Sequence, residues 1–441
     1  MRDILVCIIL TLTLSFVSYS TAWIDPLIKK EILNDSGEYF SVIVLLEDIP
    51  AGLNRASRKN RDELYRRVSL ILNQAGLNDA SFLEENLLWV SQGFHMVVNT
   101  AEMKALASHD EVKSLIYDSE ISLDIPTQNT TWGPTEGPTW GLVTLEIPRV
   151  WEELNLRGRG VRVGILDTGY SDHPALRNRI EASRTFVWGK DDGKPNDGHG
   201  HGTHCLGTIG GSEVGGRQIG VAPEVSFLVG RIFNSKGKGG LSGMLKGMQW
   251  MADPDNNPAT QDQPAVVSNS WGVHWKDPRR TEALHRAVKT WKDQHIIPVF
   301  AAGNSGYRPA TILKPAVFEE SITIGATDSE DRIARFSSRG PGRYLDRETR
   351  KPDVAAPGVS VYSSDLNGKY SYKSGTSMAA PHVVGIIALM LEANPNLSAE
   401  DVRAILRNST LDLGQSGYDY AYGWGRINGF EAAQRAAQNL R

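Results

Sequence analysis

VRVGILDTG, residues 161–169, is apolar over most of its length and stops at Asp167-Thr168-Gly169. A strand with one wet face alternates apolar and polar residues, whereas a near-continuous aliphatic run closed by a glycine turn reads as a strand buried on both faces. The same texture returns in VSFLVGRIF (225–233), AVVSNSWG (265–272), IIPVFAAGNSG (296–306) and SITIGATD (321–328). Helical stretches at 241–251, 281–293 and 378–392 fall among these strands. The alternation predicts an α/β fold, with a mostly parallel central sheet and helices on both faces. Sites in such sheets lie beyond the carboxyl ends of the strands, where Asp167, Ser270 and Asn304 stand.

Upstream, residues 38–117 carry a separate α+β pattern. YFSVIVLL (39–46) is a β-branched run, and RKNRDELYRRVSLILNQA (58–75) places Leu64, Val68, Ile71, Leu72 and Ala75 on one helical face. WVSQGFHMVV (89–98) reads as a strand, TAEMKALAS (100–108) as a short helix and EVKSLIY (111–117) as a final strand. DIPTQNTTWGPTEGPTWG (124–141) loses the apolar period and reads as an exposed linker. At the N-terminus an apolar run over 4–17, followed by Ser20 and Ala22, predicts a signal peptide over 1–22 and hence a secreted protein. Cys7 leaves with it, so the mature chain keeps one thiol, Cys205, and no internal disulfide. Asn34, Asn129 and Asn408 head sequons that matter only where exported proteins are glycosylated. With 47 basic and 51 acidic side chains the net charge is −4, which gives no long-range attraction to nucleic acid or an anionic membrane.

Three chemistries compete for the motifs. Asp167-Thr168-Gly169 raises an aspartic protease, but the second D-S-G, at 35–37, lies in a polar stretch before the first domain and makes a poor partner. His199, His201 and His204 in NDGHGHGTHCLGT (196–208) raise a zinc site, with Asp197 or Asp172 helping. That pattern resembles the histidine motif of metallo-β-lactamase-like hydrolases, except that Thr203 stands where they have an aspartate. The third chemistry needs a nucleophile. SGTSMAAPHVVG (374–385) places Ser377 at the first turn of an apolar helix, where orphan backbone N–H groups and the helix dipole favour a developing oxyanion.

D-T-G (167–169), H-G-T-H (201–204), A-A-G-N (301–304) and G-T-S-M-A-A-P-H (375–382), in the order Asp, His, Asn, Ser, together resemble the subtilisin-like serine proteases. The resemblance runs from about Trp140 to Phe430, and the 38–117 domain resembles the inhibitory propeptide of that family. It implies Asp167, His201 and Ser377 as the catalytic triad and Asn304 as an oxyanion donor, with His199 and His204 outside it. Ser270, Trp271 and Gly272, with Ala301, Ala302 and Gly303, resemble the two segments that line the primary specificity pocket and pair with an extended substrate. Leu313 falls near the pocket floor, and no acidic residue is placed there, which favours small or apolar residues before the scissile bond over basic ones.

The implied chain is a secreted serine endopeptidase and an expected monomer that acts on protein or peptide substrates. It has a signal peptide (1–22), a propeptide (23–125) that acts as its own inhibitor, a linker (126–139) holding the maturation site, and a catalytic domain (140–441). The chemistry requires no cofactor. Structural calcium is common in the family, but its ligands do not carry over: 210–224 lacks the asparagine-rich loop, and ADPDNNPATQDQP (252–264) reads as a solvated turn.

Overall fold

The computed structural model describes residues 22–33, 39–48, 57–77, 83, 85–124, 136–187 and 195–438. The signal peptide, the D-S-G at 35–37, Asn34, Asn129 and most of the linker lie outside the described residues.

The central sheet has nine strands. From one edge they are Thr410–Leu411, Arg426–Ile427, Val354–Pro357, Ile322–Thr327, Ile297–Ala301, Val266–Asn269, Arg162–Asp167, Ser226–Arg231 and Ile180–Thr185. All neighbours are parallel except the first pair, as the uninterrupted apolar strands require. The helix Thr376–Ala393 is buried through Leu391 and crosses this sheet, touching four of its strands. It is long and apolar enough to cross a membrane, but its burial makes it the core helix of this domain.

The N-terminal unit is a five-stranded sheet in the order Trp23–Ile24, Val112–Tyr117, Phe40–Leu46, Gly93–Val98, Leu87–Leu88. The helix Arg58–Gln74 buries Leu64, Val68, Ile71 and Leu72, and Thr100–Ala107 starts with a capping box between Asn99 and Glu102. One expectation fails here: 89–98 is not a single strand. Gln92 has a positive φ of 59°, and Ser91 Oγ and Gln92 Nε2 donate back to Leu88 O and Trp89 O, folding 89–92 into a hairpin turn.

That turn meets the helices Leu241–Ala252 and Glu282–Asp293. Thr290 Oγ1 donates to Val90 O at 2.9 Å, Gln249 Nε2 to Leu87 O at 3.1 Å, and Arg286 Nη1 to Leu46 O at 2.8 Å. Apolar side chains of both helices share one core with the five-stranded sheet. The fully buried Asp118 accepts from Ser242 N at 2.9 Å and Ser242 Oγ at 2.6 Å, placing a carboxylate at the positive end of Leu241–Ala252. Buried Asp25 pairs with Arg280 at 2.8 Å.

Candidate active site

Asp167 ends the strand Arg162–Asp167, and His201 opens the helix His201–Gly210. Gly202 N donates to Thr168 Oγ1 at 2.8 Å, pinning the helix start against the strand end. Only glycine permits this approach, since a Cβ at 202 would stand 2.3 Å from Gly169 O. His201 Nδ1 then lies 2.8 and 3.0 Å from the two Asp167 oxygens, with both side chains buried. Asp197 braces the turn: it accepts from His199 N, Gly200 N, Thr203 N and Thr203 Oγ1 at 2.7–2.9 Å.

Ser377 sits one residue into Thr376–Ala393. Pro381 follows four residues later and has no N–H, so the Ser377 carbonyl lacks its helical donor. Ser270 Oγ and Cys205 Sγ take the vacancy at 2.9 and 3.4 Å, while Ser377 Oγ donates to Ser270 O at 3.1 Å. His201 Nε2 is buried and has no hydrogen-bond partner, the state a proton acceptor needs.

Asn304 faces the same helix end. Its Oδ1 accepts from Thr376 N at 2.9 Å and Thr376 Oγ1 at 3.1 Å, which fixes the amide flip and turns Nδ2 outward. A carboxylate and an imidazole in contact, a hydroxyl at a helix N-terminus and an outward amide suit acyl transfer. Residues 158–425 match the subtilase family, Peptidase S8. The chain belongs to the subtilase family of serine endopeptidases.

Among this subtilase's relatives, serine protease AprX of Bacillus subtilis (strain 168) is 36% identical over 300 residues, 62% of this chain and 66% of AprX. Subtilisin DY of Bacillus licheniformis is 39% identical over 281 residues, 63% of this chain and 92% of that protein. An alkaline protease of Alkalihalobacillus alcalophilus is 33% identical over 370 residues, 83% of this chain and 88% of its own. That last match is long enough to reach into the segment before residue 140.

His204 and His199 lie in different surroundings. His204 is fully buried, with Nε2 3.0 Å from Val361 O, and burial followed by the charge of Lys373 holds its pKa down to about 3. His199 is lowered chiefly by burial, its ring lying 6.2 Å from that of His201. The three histidines are not gathered as a ligand set: among the described residues, the close His/Cys/Asp/Glu groups are Asp167–His201–Cys205 and Asp253–Asp255–Asp262. Burial, then the Asp167 charge, push the Cys205 thiol well above its usual range. In the acidic trio, Asp253 pairs with Arg61, while Asn257 N, Thr260 Oγ1 and Asp255 N donate to the carboxylates of the loop. Burial, then its neighbours' charges, raise the Asp262 pKa.

Trp271 is buried against Phe300, ring centroids 5.5 Å apart, and so belongs to the core. Ser270 exchanges two hydrogen bonds with Ser377. Ala302 carries main-chain bonds to Ile324 O and from Leu313 N, both at 3.0 Å, and Ala301 lies inside the sheet strand. Gly272 and Gly303 both press on Leu313. The extended segment Glu120–Ser122 pairs antiparallel with Lys238–Gly240, which the sequence reading did not single out; among the described residues it makes no ladder with 269–272. It also missed Thr376 and Asp118, and it read Asp197 only as a helper of a zinc site rather than as the brace of the turn.

Proposed function

We propose that this subtilase hydrolyses peptide bonds in protein or peptide substrates, with Ser377 as nucleophile, His201 as its base and Asp167 as the group that fixes the imidazole tautomer and stabilises the imidazolium. The observation carrying this reading is the Asp167–His201 contact at 2.8 Å, with the buried His201 Nε2 left without a hydrogen-bond partner. Ser377 Oγ adds to the carbonyl carbon while His201 Nε2 takes its proton. Asn304 Nδ2 donates to the oxyanion; His201 then protonates the leaving amine, and water hydrolyses the acyl ester.

The chain is exported by residues 1–22 and made as a precursor in which the segment from 23 to about 125 folds as a unit and inhibits the catalytic domain. The shared core, the Asp118 cap and the Asp25–Arg280 pair support docking of that segment on the catalytic domain. The test is Ser377→Ala, which should leave peptide hydrolysis undetectable and the precursor uncut, while wild type shows both. Hydrolysis by that variant removes the nucleophile assignment.

A further inference from the structure

The N-terminal unit ends in the active site. Glu120–Ser122 runs antiparallel to Lys238–Gly240 in the register Ser122 to Lys238, Ile121 to Gly239 and Glu120 to Gly240. Leu123 N extends the pairing to Gly237 O at 2.9 Å. Ile121 is buried, and Asp124 arrives at Asn304. The Asp124 carbonyl oxygen accepts from Asn304 Nδ2 at 2.6 Å, the donor that Thr376 aims outward. The Asp124 carboxylate accepts from Asn304 N at 2.9 Å and so turns back onto the main chain.

Leu313 packs against both of the glycine-bearing segments beside Asn304. A Cβ on Gly272 would lie 2.7 Å from Leu313 Cβ, and one on Gly303 would lie 2.5 Å from Leu313 Cγ. The isobutyl group, 4% exposed, therefore lies against the α-carbons of both glycine-bearing segments and fills the space between them. A long or aromatic side chain at the position of Asp124 would need that volume, whereas a short carboxylate needs only the Asn304 N–H.

We propose that the chain cuts itself at the Asp124–Ile125 bond, and that it takes a short residue, aspartate included, before the scissile bond because Leu313 closes the pocket. The maturation point thus moves upstream of 126–139. The proposal rests on the peptidase reading and deepens it. Ser377 Oγ bonds to the Asp124 carbonyl carbon, the C–N bond breaks, His201 delivers the proton to the Ile125 nitrogen, and water releases Asp124 as a new C-terminal carboxylate.

The test has two arms. In the first, the N-terminal fragment released early from the wild-type precursor is weighed by mass spectrometry, which avoids later trimming of the mature N-terminus. It should end at Asp124; a fragment ending within 126–139 overturns the proposal and leaves the peptidase intact. Absence of any fragment, together with no peptide cleavage, overturns the underlying reading as well. In the second, quenched peptides carry the 120–128 sequence with Asp, Ala or Phe at the Asp124 position. Asp and Ala peptides should be cut at least about tenfold faster than Phe, the scale by which a filled pocket discriminates. Leu313→Gly should raise the Phe-to-Asp ratio of kcat/KM by about tenfold or more, with a cooperative unfolding transition as the folding check. Preference for Phe in wild type, or an unchanged ratio in a folded Leu313→Gly, refutes the role of Leu313. Should that variant not fold, the wild-type preference alone decides.

Discussion

Replacing Thr376 by Val removes one hydroxyl from the edge of the active site and leaves the triad untouched. In the structure that hydroxyl donates to Asn304 Oδ1 at 3.1 Å and accepts from Gly303 N at 3.1 Å, while Thr376 N keeps a second bond to Oδ1 at 2.9 Å. Losing one of two orienting donors is worth about 1 kcal/mol, a factor of about five in kcat if the amide acts only on the oxyanion. Asn304→Ala removes the amide itself, and the loss of such a donor is worth about 10²–10³ in kcat with KM little changed. The double variant should therefore be no slower than Asn304→Ala, since Thr376 then has nothing to orient. Steady-state kinetics on one quenched peptide supply the cycle. Thermal unfolding supplies a control, because both Thr376→Val proteins strand the Gly303 N–H at a cost of about 1–3 kcal/mol. If Thr376→Val slows kcat equally in both backgrounds, Thr376 acts by another route; full activity in Asn304→Ala removes the oxyanion assignment.

Asp118→Ala strips the cap from Leu241–Ala252 and leaves Ser242 N without its acceptor, so the separately expressed 23–124 segment should inhibit the mature enzyme about tenfold or more less tightly, read as Ki. Failure of the unaltered segment to inhibit at all would refute the propeptide reading. Cys205→Ala should keep most activity, since Ser270 Oγ still holds the Ser377 carbonyl; a small mercurial should slowly inhibit wild type and spare the variant, measured by residual hydrolysis. His204 and His382 are fully buried, and burial lowers their pKa values to about 3 and about 4. The folded state thus binds fewer protons than the unfolded one below pH 6.5, and the stability they contribute is complete above that pH and lost as it falls. In the Ser377→Ala background, His382→Gln should flatten the decline of Tm between pH 6.5 and 4; an unchanged slope would show that the histidine does not titrate with unfolding.

Much of this molecule was legible because its signals are local. The continuous apolar strands ending at Asp167, Asn269 and Ala301 demanded a doubly covered parallel sheet, and the glycine-rich turns beside the histidine and serine marked helix starts at strand ends. The hairpin at 89–92 was hidden because Trp89 and Val90 look like strand residues, yet they are buried against helices some 150 residues away, a tertiary demand no window can show. Thr376 and Asp118 act through hydrogen bonds spanning 72 and 124 residues, so their types alone gave little reason to select them. Trp271 stands in a segment that resembles a pocket wall, while its indole packs edge-to-face on Phe300, a contact that sequence order does not reveal. Nothing in the order of residues could tell that Asp124, inside a stretch that reads as linker, would meet Asn304.

In the proposed mechanism Ser377, activated by His201, attacks the substrate. A serine-directed sulfonyl fluoride tests it most directly, with peptide mapping of the labelled protein by mass spectrometry. The account predicts one adduct, on Ser377, whose stoichiometry tracks the loss of hydrolysis, with a His201→Ala variant remaining unlabelled and a zinc chelator leaving activity intact. An adduct on another residue at full inhibition, labelling that proceeds equally without His201, or hydrolysis abolished by the chelator would contradict it.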